Sequence, residues 1–187
     1  MEIPAFFVDG VMEKLILQKI GASAKIVTTG LNGKNVRIDA IAKKISSSIR
    51  ILNGRYRPII ILIDREGRGI TADKIVQELN SELINNNIND ERIVGVADRM
   101  TENWILADWD SFKKSTNIKK DKLYSSFEGR NGVSIIKKYI PYYQKTTDGV
   151  HLFTKAKASS MKKNSASFEK FINQILPMNC KCYWTSQ

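Results

Sequence analysis

The chain has 187 residues, 42% of them hydrophobic, and 30 Lys+Arg against 19 Asp+Glu give a net charge of +11. That length suits one domain with a core of its own, and the balance excludes a disordered, fibrous or disulfide-stapled chain. No apolar run approaches the ~20 residues of a membrane-spanning helix, Asp9 and Glu13 interrupt the apolar N-terminal stretch as no export signal would, and two cysteines, Cys180 and Cys182, leave the reducing cytoplasm as the expected compartment.

The first part of the chain alternates two kinds of pattern. Ile3–Val8 is a short apolar run, expected as a buried strand, and Val11–Ile20 spaces Val11, Leu15, Ile16 and Ile20 as a helix does. Lys25–Thr28 is a second strand, followed by a turn-rich loop over 30–34. Arg37–Leu52 carries a helical apolar stripe from Ile38 to Leu52. Pro58–Ile63 is an uninterrupted β-branched run, the pattern of a strand covered on both faces in a parallel sheet. Thr71–Asn85 reads as a helix, Arg92–Ala97 as a fourth strand and Thr101–Asp108 as a short helix. Residues 1–110 therefore predict an α/β core with a mostly parallel four-stranded sheet flanked by helices.

Beyond residue 110 the pattern weakens. Residues 109–132 are polar and lysine-rich, expected as loops with short helices. Val133–Ile140 and Asp148–Ala158 read as helical, 159–167 is a Lys/Ser/Asn stretch, and Phe168–Leu176 is a helix stopped by Pro177. The last ten residues are expected as an irregular tail. Residues 111–187 thus form a basic, mainly helical extension packed on the core, within a single domain.

Charge divides the chain at the same place. Residues 1–110 carry 15 basic and 15 acidic side chains, residues 111–187 carry 15 and 4. A surface made only for solubility mixes the signs, so an acidic site beside a basic, anion-binding surface is expected. The plain alternative is a solvated lysine face without a partner.

In open parallel sheets ligands bind beyond the carboxyl ends of the strands, and acids recur there. Asp9-Gly10 with Glu13 follows the first strand, Asp64-Arg65-Glu66-Gly67-Arg68 the third, and Asp98 the fourth. Paired carboxylates at a strand end suit a hard divalent cation, which keeps waters and substrate oxygens in its shell. If strands one and three are neighbours, Asp9, Asp64 and Glu66 converge. Glu13 and Glu102 are further candidates. The alternative for each acid is a helix cap or loop carboxylate.

These residues resemble the toprim domain, the Mg²⁺-binding α/β module of topoisomerases, primases and overcoming-lysogenisation-type nucleases. The resemblance lies in Asp9-Gly10 and Asp64-x-Glu66. The stretch Glu102–Asp108, Tyr143-Gln144-Lys145 with Asp148-Gly149, and the helix after Ser167 also look like small toprim-like proteins of bacterial defence loci. It implies a toprim-like fold and a metal-dependent nuclease using Mg²⁺ or Mn²⁺, with Asp9, Asp64 and Glu66 at the metal. Lys145 would stand beside the scissile phosphate, and an ATPase would be the partner. Two positions depart from the pattern. Asp9 stands for the usual Glu and Glu66 for the usual Asp, which keeps open a catalytically degenerate scaffold that binds nucleic acid or a defence ATPase.

Lysines and small hydroxyl residues interleave over 155–170. Lys155, Lys157, Lys162 and Lys163, with Arg68, are the expected contacts to a DNA or tRNA backbone. Tyr142, Tyr143, Tyr183 and Trp184 are candidates for base stacking or, alternatively, core. An oligomer is left open. Gly30-x-x-Gly33-Lys34 lacks the spacing of a phosphate-binding P-loop. Cys180-x-Cys182 with His151, the sole histidine, falls short of a zinc set, and His151 has no nucleophile motif around it.

Overall fold

The computed structural model describes residues 3–177. Its element order is β1 (Ala5–Val8), α1 (Val11–Lys19), β2 (Lys25–Thr28), α2 (Ile38–Leu52), β3 (Ile59–Asp64), α3 (Ala72–Asn85), β4 (Arg92–Ala97), α4 (Glu102–Ala107), α5 (Trp109–Thr116), α6 (Gly132–Lys137), a π-turn (Lys145–Gly149), α7 (Val150–Lys155), α8 (Ala158–Asn164) and α9 (Ala166–Ile175). The four strands form one sheet in the order β2-β1-β3-β4, and every pairing is parallel.

The continuous apolarity of β1 and β3 has its reason in two covered faces. Ala5, Phe7, Ile59, Ile61 and Ile63 point to one side, where Ile41, Ala42 and Ile45 of α2 and Ile75, Leu79 and Leu83 of α3 meet them. Phe6, Val8, Ile60 and Leu62 point to the other, against Met12, Ile16 and Leu17 of α1, Trp104 and Ile105 of α4 and Phe168, Phe171 and Ile172 of α9. Alternate side chains of one strand thus feed two separate cores.

The line at residue 110 is a boundary of charge and not of packing. Trp104 of α4 packs edge-on to Phe168 and stacks on Phe171, both of α9. Gly95 in β4 makes this possible, because a Cβ there would stand 2.2 Å from the Phe171 ring. The basic half therefore supplies much of one helical layer. Within it, the Lys/Ser/Asn stretch over 159–167, to which the sequence assigns no element, holds most of α8, whose core contact rests on Ala158 and Met161. The expected helix over 148–158 instead begins in the π-turn and gives way at Ala156. Cys180, Cys182, Tyr183 and Trp184 lie outside the described residues. Among the described residues no helix is long and apolar enough to cross a membrane.

Candidate active site

β1 and β3 are neighbours, with Val8 beside Leu62, so Asp9 and the last residue of β3, Asp64, meet at the carboxyl edge. Asp64 N–H donates to Asp9 Oδ2 at 2.8 Å. The Asp9 side chain thereby serves the peptide just past the end of the β1–β3 ladder. Asp64 Oδ1 in turn accepts from the N–H and the hydroxyl of Thr101, both at 2.9 Å. Thr101 immediately precedes α4, so the ends of β1 and β3 and the start of α4 are tied through two carboxylates.

Two more acids face this pair. Glu13, in the first turn of α1, is buried, as is Glu102, the first residue of α4, at 0% exposure. Gly10 explains how Glu13 gets there. Its backbone is extended (φ −137°), a conformation open to any residue, so the glycine is not needed for a tight turn. What it supplies is space, since a Cβ would lie 3.1 Å from Glu13 Oε2.

Lys145 is the cation of the cluster. Its Nζ lies 3.2 Å from Glu102 Oε1. It opens the π-turn, a distortion often found at functional positions. Tyr143 points its hydroxyl at the same Glu102 oxygen from 3.5 Å. Gly149 gives Tyr143 room, because a Cβ there would sit 2.5 Å from the phenol oxygen. Tyr143 was expected as core or a base stacker; its contact with Glu102 has no signal in the sequence.

The electrostatics follow from burial and from the surplus of negative charge. Asp9 is pushed up to about 7, mainly by burial, with Glu13 adding to the rise against the bond from Asp64 N–H. Asp64 is raised well above the carboxylate range by burial first, then by Glu13, Asp9 and Glu102. Glu13 is raised by burial and next by Glu102. Burial pulls Lys145 down, but Glu102, Asp64 and Glu13 outweigh it and hold the ammonium above its ordinary value. Burial, with Glu102 next, raises the Tyr143 phenol, which keeps it a hydrogen-bond donor.

Two oxygens of the cluster, Asp9 Oδ1 and Glu102 Oε2, are buried with no hydrogen-bond partner among the described residues. Such a donor set, rich in carboxylate oxygen and short of cations, has the chemistry of a hard-cation site. It is not a finished cage. Among the described residues no three His, Cys, Asp or Glu side chains are arranged to hold a metal ion, and Asp9 Oδ2 and Asp64 Oδ1 already accept from protein donors. Mg²⁺, which is bound through one or two carboxylates and several waters, asks for no such cage.

Glu66 stands apart from the buried four. It is half-buried, has φ 57°, and its N–H donates to Arg99 O at 2.7 Å. Arg99 also has positive φ, at 82°. Two non-glycine residues in left-handed backbone therefore clamp the loops after β3 and β4, a local cost of about 1–3 kcal/mol each. Glu66 is close enough to Asp9 to push its carboxyl up, after burial and Glu13, while the Arg68 guanidinium pulls it down.

Arg68, expected at the phosphates, is turned inward. Its guanidinium donates to the carbonyls of Asp64, Arg65, Gly33 and Val36. It pins the loop after β3 to the loop before α2, and no donor direction is left for a substrate. The basic stretch is displaced as well. Lys155 lines a cavity of about 370 Å³ with Lys19 and His151, at the far end of α1, a helix of nine residues and so about 13 Å long. Lys157 gives its backbone N–H to Asp108 Oδ2 at 2.7 Å, at the end of α4 remote from Glu102. Lys162 and Lys163 lie on α8 with Lys163 exposed.

The stretch Glu102–Asp108 divides by role. Asn103 Nδ2 donates to the carbonyls of Asp98, Phe127 and Arg130, Trp104 Nε1 donates to Ser167 Oγ at 2.8 Å, and Asp108 accepts from Ser111 N–H to cap α5. Only Glu102 faces the cluster.

Fold and site define an all-parallel α/β layer with four buried acids and a lysine at the carboxyl edge of its inner strands. The chain belongs to the family described as Domain of unknown function (DUF4276), whose model matches residues 5–176. No curated protein and no solved structure matches it.

Proposed function

We propose that the protein is a metal-dependent phosphodiester nuclease acting on DNA or tRNA in the cytoplasm. The observation that carries this reading is the convergence of Asp9, Glu13, Asp64 and Glu102, all buried, around one lysine at the carboxyl edge. Asp64, Asp9 and Glu102, with Glu13 and Glu66 alongside, are the residues that would hold Mg²⁺ or Mn²⁺. The cation would supply charge neutralisation at the phosphate and a more acidic water.

The chain's own residues account for the remaining requirements. Asp9 completes the metal site or, with a carboxyl that burial pushes up to about 7 in the metal-free protein, serves as general base near neutrality. Its Oδ1, free of other partners among the described residues, takes the proton as the water oxygen bonds to phosphorus and the bond to the leaving oxygen breaks. That leaving oxygen collects a proton from solvent. Lys145 stabilises the charge gathering on the phosphate oxygens. Glu102 and Tyr143 hold Lys145 in place. The toprim resemblance adds the defence setting and an ATPase partner, which a chain without a P-loop of its own would need for any energy-driven step.

A second reading, a catalytically silent scaffold for nucleic acid or an ATPase, draws on the protein donors that already occupy Asp9 Oδ2 and Asp64 Oδ1. A cleavage assay separates the two. Plasmid and bulk tRNA are incubated with Mg²⁺, Mn²⁺ or EDTA and wild type or Asp64→Asn. The nuclease reading requires cleavage by wild type that EDTA and Asp64→Asn both abolish. Cleavage by neither protein, with both binding nucleic acid, would favour the scaffold.

A further inference from the structure

We infer that the outer edge of β4 is a docking site for an extended peptide of a partner protein, which adds to the sheet as a fifth strand and offers a lysine or arginine to Glu128. The site is independent of the carboxylate cluster, which lies between β1 and β3.

The hydrogen-bond parity of the edge comes first. Ile59 N–H donates to Glu91 O and Arg65 N–H to Ala97 O. Residues 91, 93, 95 and 97 therefore face β3, and the alternate residues 92, 94, 96 and 98 turn their backbone groups outward. The protein closes both ends of that edge itself. Asp98 N–H donates to Ser167 Oγ at 3.3 Å, and the Arg92 side chain folds onto the carbonyls of Ile88 and Asp90. Between them, the outward N–H and C=O of Val94 and Val96 have no partner among the described residues. Both valines are buried, at 3% and 5% exposure, and buried backbone groups left unpaired are costly.

These groups open onto a groove of about 590 Å³ between α3 and α9, within the usual size range of binding sites. Ile70 and Val76 form one wall and Phe171 the other, so apolar surface flanks the edge on both faces, as alternate side chains of a strand require. Two outward residues repeat at the period with which a neighbouring strand bonds, and strand addition to an exposed edge is a common mode of peptide recognition. A small heterocycle would use only one of the two pairs.

Charge selects the peptide further. Glu128 lines the groove. Its Oε1 accepts from the Ser165 and Ser167 hydroxyls and Ser167 N–H, whereas its Oε2 is buried without a partner among the described residues. The nearby cations are committed, Arg65 to Asp98 and Lys170 to Asp73. The Lys170–Asp73 pair joins α9 to α3 across the groove. Both side chains are exposed, and an ion pair of that kind is weak enough to open readily.

The experiment has two parts. In the free, full-length protein, amide exchange at Val94 and Val96 should be at least about tenfold faster than at Gly95, whose N–H faces β3. Equal protection would overturn the proposal. So would protection of the two valines that disappears on deleting residues 178–187 or on dilution, which would make the occupant this chain or a second copy. Peptides are then selected against the protein from a phage-displayed random decapeptide library. The selected sequences should alternate apolar and polar residues and carry Lys or Arg. They should protect Val94 and Val96 and lose about tenfold or more in affinity to Val96→Pro, which removes an outward N–H and no ladder bond. Glu128→Gln, which keeps shape, should cost basic peptides about fivefold and others little. Failure to select any peptide, or undiminished binding to both variants, would overturn the proposal.

Discussion

Two groups of acids in the molecule are compensated differently. Asp108 meets the N–H groups of Ser111 and Lys157, and Asp98 meets Arg65. Each has donors of its own and no buried oxygen left over among the described residues, the arrangement of a structural carboxylate. Asp9, Glu13, Asp64 and Glu102 share Lys145 and a few backbone donors, and two of their oxygens have no partner among the described residues. Buried carboxyl groups in excess of their compensation are what the proposed cation and phosphate site requires. The distinction lies in the two buried oxygens left without a partner and in four acids sharing one lysine, not in the number of donors counted per acid.

That comparison can be broken most sharply through Asp9. Asp9→Asn keeps the shape and removes the base, so cleavage should fall by about 10²–10⁴-fold while the fold survives. A fall below tenfold, measured under single-turnover conditions, would move Asp9 into the structural group. Asp9→Glu, which restores the residue usual in the resembled family, should retain activity.

The pH dependence of stability is next in size. A carboxyl raised from 3.8 to about 7 in the fold binds more protons folded than unfolded. Its contribution is complete below about pH 4 and is lost as pH rises through 7, by at most on the order of 4 kcal/mol. Asp64 and Glu13 shift in the same direction. The metal-free protein should therefore melt at lower temperature at pH 8 than at pH 5.5, and Asp9→Asn should flatten the difference. A melting temperature that rises over this window would contradict the account.

Asp108→Ala tests the other group. It removes the α5 cap and leaves Lys157 N–H without its acceptor, a loss of about 2 kcal/mol with no effect on turnover of the folded enzyme. Urea melts and saturating-substrate rates separate the two effects. The smallest change is expected from replacing Lys157, Lys162 and Lys163 together by Ala. Remote from the cluster, they should alter the salt slope of binding by about one per lost phosphate contact, equally across sequences, and leave the saturated rate unchanged.

Much of this was legible in the sequence because it depends on local pattern. The β-branched run over 58–63 could only be a strand covered on both faces, and acids directly after strands fall at one edge of a parallel sheet. Asp9 and Asp64 meet because β1 and β3 pair. The rest is set by tertiary geometry. Nothing in the order of residues shows that Arg68 turns back onto four carbonyls, that Gly10 clears space for Glu13, or that Tyr143 reaches Glu102. Helix α8 escaped because seven residues with two apolar contacts carry no readable period. The lysines looked like part of the site because charge can be counted along a chain, whereas the length of α1 that separates Lys155 from Glu13 cannot be seen there.

Calorimetric titration of Mn²⁺ into the metal-free protein near pH 6.5, in two buffers of different ionisation enthalpy, tests the central claim most directly. The account predicts saturable binding to wild type accompanied by proton release, as the cation displaces protons from Asp9 and its neighbours, and loss of that binding in Asp64→Asn. No saturable heat in wild type, or equal binding by Asp64→Asn, would contradict a cation site at the carboxyl edge.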